Sequence, residues 1–410
     1  MHIRDRDLGI DVDLAGPAVC ANPYPLYAWL REASALIRCR QPFVGRAWLA
    51  TRHDDVSRVL KDAKRFKNSH SGANGRPASW ERVLPRPVLT FMQSMIASDD
   101  DDHRRLRGLV AKAFTPARVE QLEARIDAIV TELLDRAARR GSFDLMAAFA
   151  VPLPLRIISE LLGVEEHERA DFRSTMTRLL ADQSEWTLPL RLPTYYRLQR
   201  FFRRMLARKR AHPADDLTSD LIAVEQEGDR LSADELTSMV LLLLFAGHET
   251  TVNLIGNGTL ALLEHPEQFA RLREDPSLVP TAIEEMLRYD SPAQLSATRY
   301  VATRCEVGGM VLERGDKIVP LLGAANRDGR AFAEPDAFDV GRSPNRHVAF
   351  GAGPHFCVGA HLSRFEGRIA FTRLIERHPN LRLAVGREAL RWRQNGSGLR
   401  GLEALPVRVG

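Results

Sequence analysis

Residues 350–364, FGAGPHFCVGAHLSR, constrain this chain more than any other stretch. Cys357 stands between a glycine-studded loop and the start of a predicted helix. Gly351, Gly353 and Gly359 carry no Cβ, so the backbone there can turn tightly and approach a flat, bulky group. From Val358 onward, Leu362, Phe365, Ile369, Leu374 and Ile375 keep a helical pattern that stops near His378-Pro379. A helix N-terminus supplies a positive field, which favours the thiolate, the form of cysteine that binds metals. A buried structural cysteine is the competing reading of a lone residue of this kind. Residues elsewhere decide between the two.

A second constraint runs from Ser232 to Glu264. Ser232, with Glu235 three residues later, makes a capping box, and His265-Pro266 stops the helix. Its centre reads LLLLFAGHETTVNLI. There Leu243, Ala246 or Gly247, Thr250 and Leu254 share a face by i, i+3/i+4 spacing. Glycine inside a helix costs about 1 kcal/mol relative to alanine. Gly247 therefore asks for a reason, and close approach of a flat ligand supplies one. Beside it, Glu249 and Thr250 pair an acid with an alcohol in oily surroundings. The plainer alternative is a threonine that returns its hydroxyl to its own helix.

Further polar residues fall into spaced pairs. Ser98 caps a helix with an acidic first turn, Asp99 to Asp102, as the helix dipole prefers. Within it His103 and Arg107 lie four apart on one face. A helix from Val279 to Tyr289 carries Glu285 and Arg288, and the following YDSPAQLSATRY turns at Pro292 into a strand bearing Arg299. Residues 68–97 hold no period, yet mix Gly and Pro with Trp80, Leu84, Val88, Leu89, Phe91 and Met92. So apolar an irregular loop walls a pocket or covers a satellite core cluster. Helices are expected over 23–33 (Leu26, Trp29 and Leu30 inward), 53–60, 116–140, 154–162, 165–181 and 195–210. Short strands are expected at 47–51 and through 307–321.

Composition adds exclusions. An apolar fraction of 44% with 27% charged residues suits a globular protein. The longest apolar run, Met239 to Gly247, is too short for a membrane span. The charged N-terminus reads as neither signal peptide nor anchor, so a cytoplasmic protein is expected. Four cysteines without paired spacing imply neither a disulfide framework nor a zinc site. A net charge of +5 and a pI near 9.2 are mildly basic. No nucleic-acid module accompanies them, leaving a dispersed surface or a docking face for an acidic partner. With no low-complexity linker or repeat, residues 1–410 read as one domain. The fold class is mainly α with small β-sheets (α+β).

Phe350, Gly351, Gly353, His355, Cys357 and Gly359 fill every position of F-G-x-G-x-H-x-C-x-G. In this, and in the order of its other stretches, the chain resembles the cytochrome P-450 superfamily. The resemblance implies haem b between the long central helix and the cysteine loop, with Cys357 as axial thiolate ligand of the iron. Such a ligand pushes electron density onto the metal. His103, Arg107, Arg299 and His355 would then meet the haem propionates. Phe350 would shield the thiolate, and Ala246, Gly247 and Gly359 would lie against the macrocycle. AGHETT matches the family's oxygen-binding stretch, in which Glu249 and Thr250 help deliver protons. Glu285 and Arg288 would form a buried pair behind the haem, completed by Arg342.

The implied activity is a haem-thiolate monooxygenase that inserts one atom of dioxygen into an apolar small molecule. The predicted lining is Val83, Leu84, Val88, Leu89, Met92, Leu179, Leu180, Leu243, Leu244, Ala246, Ala293, Leu295 and Leu399. Electrons would come from an iron–sulfur ferredoxin and its NAD(P)H-dependent reductase. The ferredoxin would dock near Cys357, where Arg104, Arg105, His361 and Arg364 present positive charge to it. A monomer with no membrane anchor and no nucleic-acid partner is expected. A peroxide-dependent relative is the alternative within the enzyme class, although such relatives commonly lack the acid–threonine pair. A haem sensor or electron carrier without turnover is the alternative outside it.

Overall fold

The computed structural model describes all residues except 1–4, 7–8, 11–13, 15, 42–44, 76–93, 114, 140, 181–187, 227–231, 394–397 and 410. Helices dominate it, and the strands are short. The longest helix, Ala233–Glu264, starts at the expected capping box: the Ser232 hydroxyl accepts from the Glu235 N–H, and the Glu235 carboxylate accepts from the Ser232 N–H. It is apolar nearly all round, as an interior helix must be. Its length and composition would also suit a membrane span, but 72% of the relevant window is buried inside the protein.

Around this helix pack Pro152–Leu161, Val279–Tyr289 and Ala360–Arg377, with Glu123–Ala138 against the first and last of these, and together they build the largest core cluster. Glycines set two of the contacts. A Cβ on Gly256 would stand 2.6 Å from Met146 Sδ, and one on Gly258 2.7 Å from Met286 Sδ. Met146 itself opens a π-helical turn, Met146–Ala150.

A five-stranded sheet lies to one side, in the order Leu36–Gln41, Gly45–Ala50, Lys317–Pro320, Arg299–Val301, Phe66–Lys67. Its one parallel pairing aligns Ile318 with Trp48, and Ile318 faces Arg299 on the other side. That register holds Arg299 in the sheet interior. A three-stranded sheet joins Ser142–Asp144, Pro406–Arg408 and Arg382–Leu383.

Several local expectations change. Residues 116–140 form two helices, Pro116–Gln121 and Glu123–Ala138, broken at Leu122. The helix expected from Tyr195 begins at Leu188 and carries Pro193 within it. Trp29 is 38% exposed, and Tyr27 takes its place inside with Leu30. Ser98 does not cap the acidic helix, because its hydroxyl donates to Ser94 O. Asp99 sits there instead, accepting from the backbone N–H groups of Asn68 and Ser69 and from the Ser69 hydroxyl.

Candidate active site

The cysteine loop is wound so that its sulfur is held from both sides. Gly353, at φ +72°, packs on the end of the helix His53–Lys61, where a Cβ would stand 2.5 Å from Leu60 O. Only glycine fits that approach. Cys357 N donates to Phe350 O at 2.9 Å, and the Gly359 N–H reaches the sulfur. A Cβ on Gly359 would lie 4.0 Å from Cys357 Sγ. The helix proper begins at Ala360, three residues on. Burial pushes the thiol pKa up, against the Gly359 N–H and the charges of Arg107 and Arg364. The expected helix field is thus outweighed by desolvation, and a bound cation is what would keep the sulfur as thiolate.

His103, on the helix Asp100–Ala113, meets the loop residue His355 ring to ring at 3.8 Å. Arg107 follows one turn later, and Arg299 approaches from the sheet. Burial, then Arg107 and Arg299, lower the pKa of His103. Burial and the same two arginines with His103 push His355 down to about 3. Burial lowers Arg299 to about 10, although Asp99 opposes this. Arg299 is 3% exposed and donates to Ala297 O, while His103 Nε2 is buried without a partner. Among the described residues neither Arg107 nor Arg299 forms an ion pair. This buried cluster is short of negative charge.

On the central helix, exposure identifies the open face. Ala246 is exposed, and Leu242 and Thr250, one turn to either side, are half-buried. Leu243, Leu244 and Leu254 are buried in the core, Leu244 completely. The face looking into open space is therefore Leu242–Ala246–Thr250, not the one containing Leu243 and Leu254. A Cβ on Gly247 would meet Ile158 Cδ1 at an ordinary 3.5 Å, so the glycine does not clear room for a ligand on that side. The Thr250 hydroxyl donates to Ala246 O at 2.7 Å, the plainer of the two expectations. Glu249 is 3% exposed and turned away, with Oε1 3.7 Å from Arg393 Nη1.

Of the expected lining, Ala293, Leu295 and Leu399 come together. Ala293 bridges Leu399, Gln294 N donates to Gly398 O, and Leu295 bridges Leu321. Val83, Leu84, Val88, Leu89 and Met92 lie outside the described residues, as do the side chains of Leu179 and Leu180.

Behind the cysteine loop, Glu285 and Arg288 are both fully buried. Arg288 Nε and Nη2 each donate at 2.7 Å to one carboxylate oxygen of Glu285. Arg342 Nε, Asn345 Nδ2 and the Asp339 N–H fill the remaining acceptor sites of Glu285. Arg288 also donates to the carbonyls of Asn326, Pro335 and Ala337. Sequence reasoning missed the neighbouring Glu284. It accepts from Arg364 at 2.7 and 2.8 Å, contacts His347 Nε2 at 3.0 Å, and has its pKa pulled down to about 2. Burial opposes that shift, and the Arg364 and His347 hydrogen bonds overcome it. Arg364, which lies over the Phe350 ring at 4.6 Å, is thus engaged and not a free docking charge.

A family model described as Cytochrome P450 matches residues 194–380. Cytochrome P450 107B1 of Saccharopolyspora erythraea is 48% identical over 89% of this chain and 89% of its own length. This chain belongs to the cytochrome P450 family. A 6-deoxyerythronolide B hydroxylase of the same organism is 39% identical, with 97% of this chain and 98% of that protein covered. The solved structure of PksS, a cytochrome P450 of the Bacillus subtilis bacillaene polyketide synthase, superposes with a TM-score of 0.90 at 38% identity, covering 97% of this chain and all of that one.

The chain is a cytochrome P450 monooxygenase, and the cofactor of the family is haem b. The residues present fit that cofactor. Two arginines and two imidazoles, of which Arg299 and His103 are buried and Arg107 and His355 half-buried, suit the two propionates of a haem. A cysteine sulfur lies in the adjoining loop, and a helix with an open Ala246 face lies in the core.

Proposed function

We propose that this cytochrome P450 inserts one atom of dioxygen into a C–H or C=C bond of a mostly apolar, polyketide-type molecule. The buried His103–Arg107–Arg299–His355 cluster carries the reading, because it calls for a dianion next to Cys357. Cys357 would hold the haem iron through the sulfur, and the cluster would hold the propionates through charge-assisted hydrogen bonds. Phe350 and Gly359 would flank the sulfur, with Ala246 facing the haem from the central helix. Haem, when bound, supplies the oxygen chemistry, and the protein supplies position, protons and exclusion of water.

Thr250 has its proton committed to Ala246 O, so its lone pairs are free to accept a hydrogen bond at the open face. Glu249 is the acid from which protons are resupplied. The substrate lies against Leu242, Ala246, Ala293, Leu295 and Leu399. A polyketide-type substrate is supported by two relatives, the 6-deoxyerythronolide B hydroxylase and PksS of the bacillaene polyketide synthase.

Electrons come from a separate iron–sulfur ferredoxin and its NAD(P)H-dependent reductase. Phe356, 38% exposed beside Cys357, with Arg104 and His361, marks the docking face. Arg104 pairs with Asp101 at 2.7 Å yet keeps a 78% exposed side chain, whereas Arg105 is tied to Glu235 and largely covered.

The test is a screen of macrolactones and other apolar compounds for a substrate-induced change in the haem spectrum. Binders are then turned over under labelled dioxygen with NADH and a surrogate ferredoxin pair. One labelled oxygen atom per product is expected. Oxidation only on addition of peroxide would overturn the reading.

A further inference from the structure

Arg271 pairs with Asp339 at 2.8 Å, Arg373 with Asp127 at 2.6 Å, and Arg377 with Asp135. Arg273, Arg382 and Arg408 are exposed, and among the described residues none of the three forms an ion pair. Two of them, Arg273 and Arg382, line an open groove of about 470 Å³. One wall is the helix Pro266–Glu274, which follows the central helix and shares His265 with it as cap. Pro266, Phe269 and Arg273 face the groove from it, at i, i+3 and i+7. The other wall is the segment 379–382, which follows the cysteine helix at its cap, His378. Among the described residues no carboxylate lines this groove. The cavity beside Tyr24, by contrast, sets Glu264, Asp290 and Asp336 against Arg327, Arg387 and Arg400.

The positive groups are held in place. Arg273 Nη1 donates to Pro379 O at 2.8 Å, and its guanidinium lies over the Phe269 ring at 5.9 Å. Arg382 stands directly opposite Arg408 in the antiparallel ladder, and the next pair is Leu383 with Val407. Val407 is fully buried, so by strand alternation both arginines lie on the outer face of the sheet. Like charges directly opposite each other across strands are destabilising. Three residues of chain span at most about 11 Å, so Arg382 and the Arg273 guanidinium tied to Pro379 lie within reach of one small polyanion.

We infer that this groove is a binding site for an organic diphosphate, separate from the haem and from the substrate face. One phosphate sits between Arg382 and Arg408 and relieves their repulsion, and the other meets Arg273. Guanidinium groups suit this task because their paired N–H donors match two phosphate oxygens at once. Asn380, exposed on the same rim, adds an amide donor. The organic part lies over the exposed rings of Pro266 and Pro379, with the buried Leu381 and Phe269 beneath. Nothing in this site depends on the proposed reaction. Because its walls continue from the central helix and the cysteine helix, a bound diphosphate ties the ends of those two helices together.

The test is calorimetric titration of holoprotein with ADP, geranyl diphosphate and inorganic pyrophosphate, at low and at physiological ionic strength. Saturable binding of ADP or geranyl diphosphate is expected, tighter than that of pyrophosphate and without a change in the haem spectrum. The tighter of the two tells whether the organic part is a base or an alkyl chain. Arg273→Gln and Arg382→Gln each weaken binding about tenfold to a hundredfold, as loss of a hydrogen bond to a charged group does. Arg382→Lys recovers part of it. Arg330→Gln, which breaks pairs with Glu32 and Asp328 elsewhere, leaves it unchanged. Arg382 and Arg408 lie on an outer sheet face, so Arg382→Gln and Arg408→Gln keep the test open if Arg273→Gln does not fold. Absence of saturable binding of both organic diphosphates overturns the inference. So does binding that Arg382→Gln and Arg408→Gln leave at wild-type strength, binding no tighter than that of pyrophosphate, or binding lost at physiological ionic strength.

Discussion

The imidazoles of His103 and His355 lie 3.8 Å apart, tilted by 36°, one from a helix and the other from the cysteine loop. Two touching imidazoles beside Arg107 and Arg299 cannot both charge, and burial with these cations lowers the pKa of both rings. A dianion beside the two rings and the two arginines relieves this crowding of positive charge. Arg299→Ala should therefore weaken haem retention about tenfold to a hundredfold, since a hydrogen bond to a charged group is worth about 1.5–3 kcal/mol. Haem transfer to an acceptor apoprotein measures it. Unchanged retention would mean that the cluster does not hold the propionates.

Glu285→Ala or Arg288→Ala should leave mostly insoluble or haem-free protein. Each change strands a buried charge, at a cost of about 3–5 kcal/mol. The stranded Arg288 would keep only its carbonyl partners, and the stranded Glu285 only Arg342, Asn345 and a backbone N–H. Soluble holoprotein with a wild-type melting temperature would contradict the assignment.

Glu366 is fully buried on the cysteine helix, with Oε2 unpartnered, and burial pushes its pKa from 4.5 up to about 8. The folded state thus holds a proton that the unfolded chain releases. The associated stability is present below about pH 4.5 and is lost as pH rises through 8, on the order of 5 kcal/mol in all. Glu366→Gln should flatten that slope, matching wild type near pH 4.5 and exceeding it by a few kcal/mol at pH 8. Denaturant unfolding of holoprotein across this range is the check, and parallel pH profiles would contradict it.

Thr250→Ala keeps the helix, because alanine is the better helix former. It removes only the oxygen that accepts at the open face. NAD(P)H and dioxygen consumption should continue while product falls and hydrogen peroxide rises, and Thr250→Ser should recover much of the coupling. Tight coupling in Thr250→Ala would assign proton delivery to a substrate hydroxyl or a water held by backbone.

The cysteine loop and the capping box of the central helix were legible because local chemistry specifies each, and the Glu285–Arg288 pair because the chain resembles the family. Spacing alone places Glu285 and Arg288 one turn apart on a helix, and the turn at Pro292 sets the strand that follows. The open face of the central helix was not legible. Leu242 and Leu243 are chemically alike, and only packing against neighbouring helices decides which is covered. Arg364 reads as surface charge until Glu284, from a distant helix, is seen to take it. Residues 116–140 broke at Leu122 although their apolar stripe runs through, since periodicity does not report a change of axis.

The central claim, that Cys357 is the thiolate ligand of a haem, is tested most directly by the spectrum of the reduced protein under carbon monoxide. Wild type should give the red-shifted Soret band of a thiolate-ligated haem, and Cys357→Ser should lose that band along with most monooxygenase activity. Cys357→Ser protein that kept the band would contradict the claim and move the ligand to another sulfur, with Cys305 the first to examine.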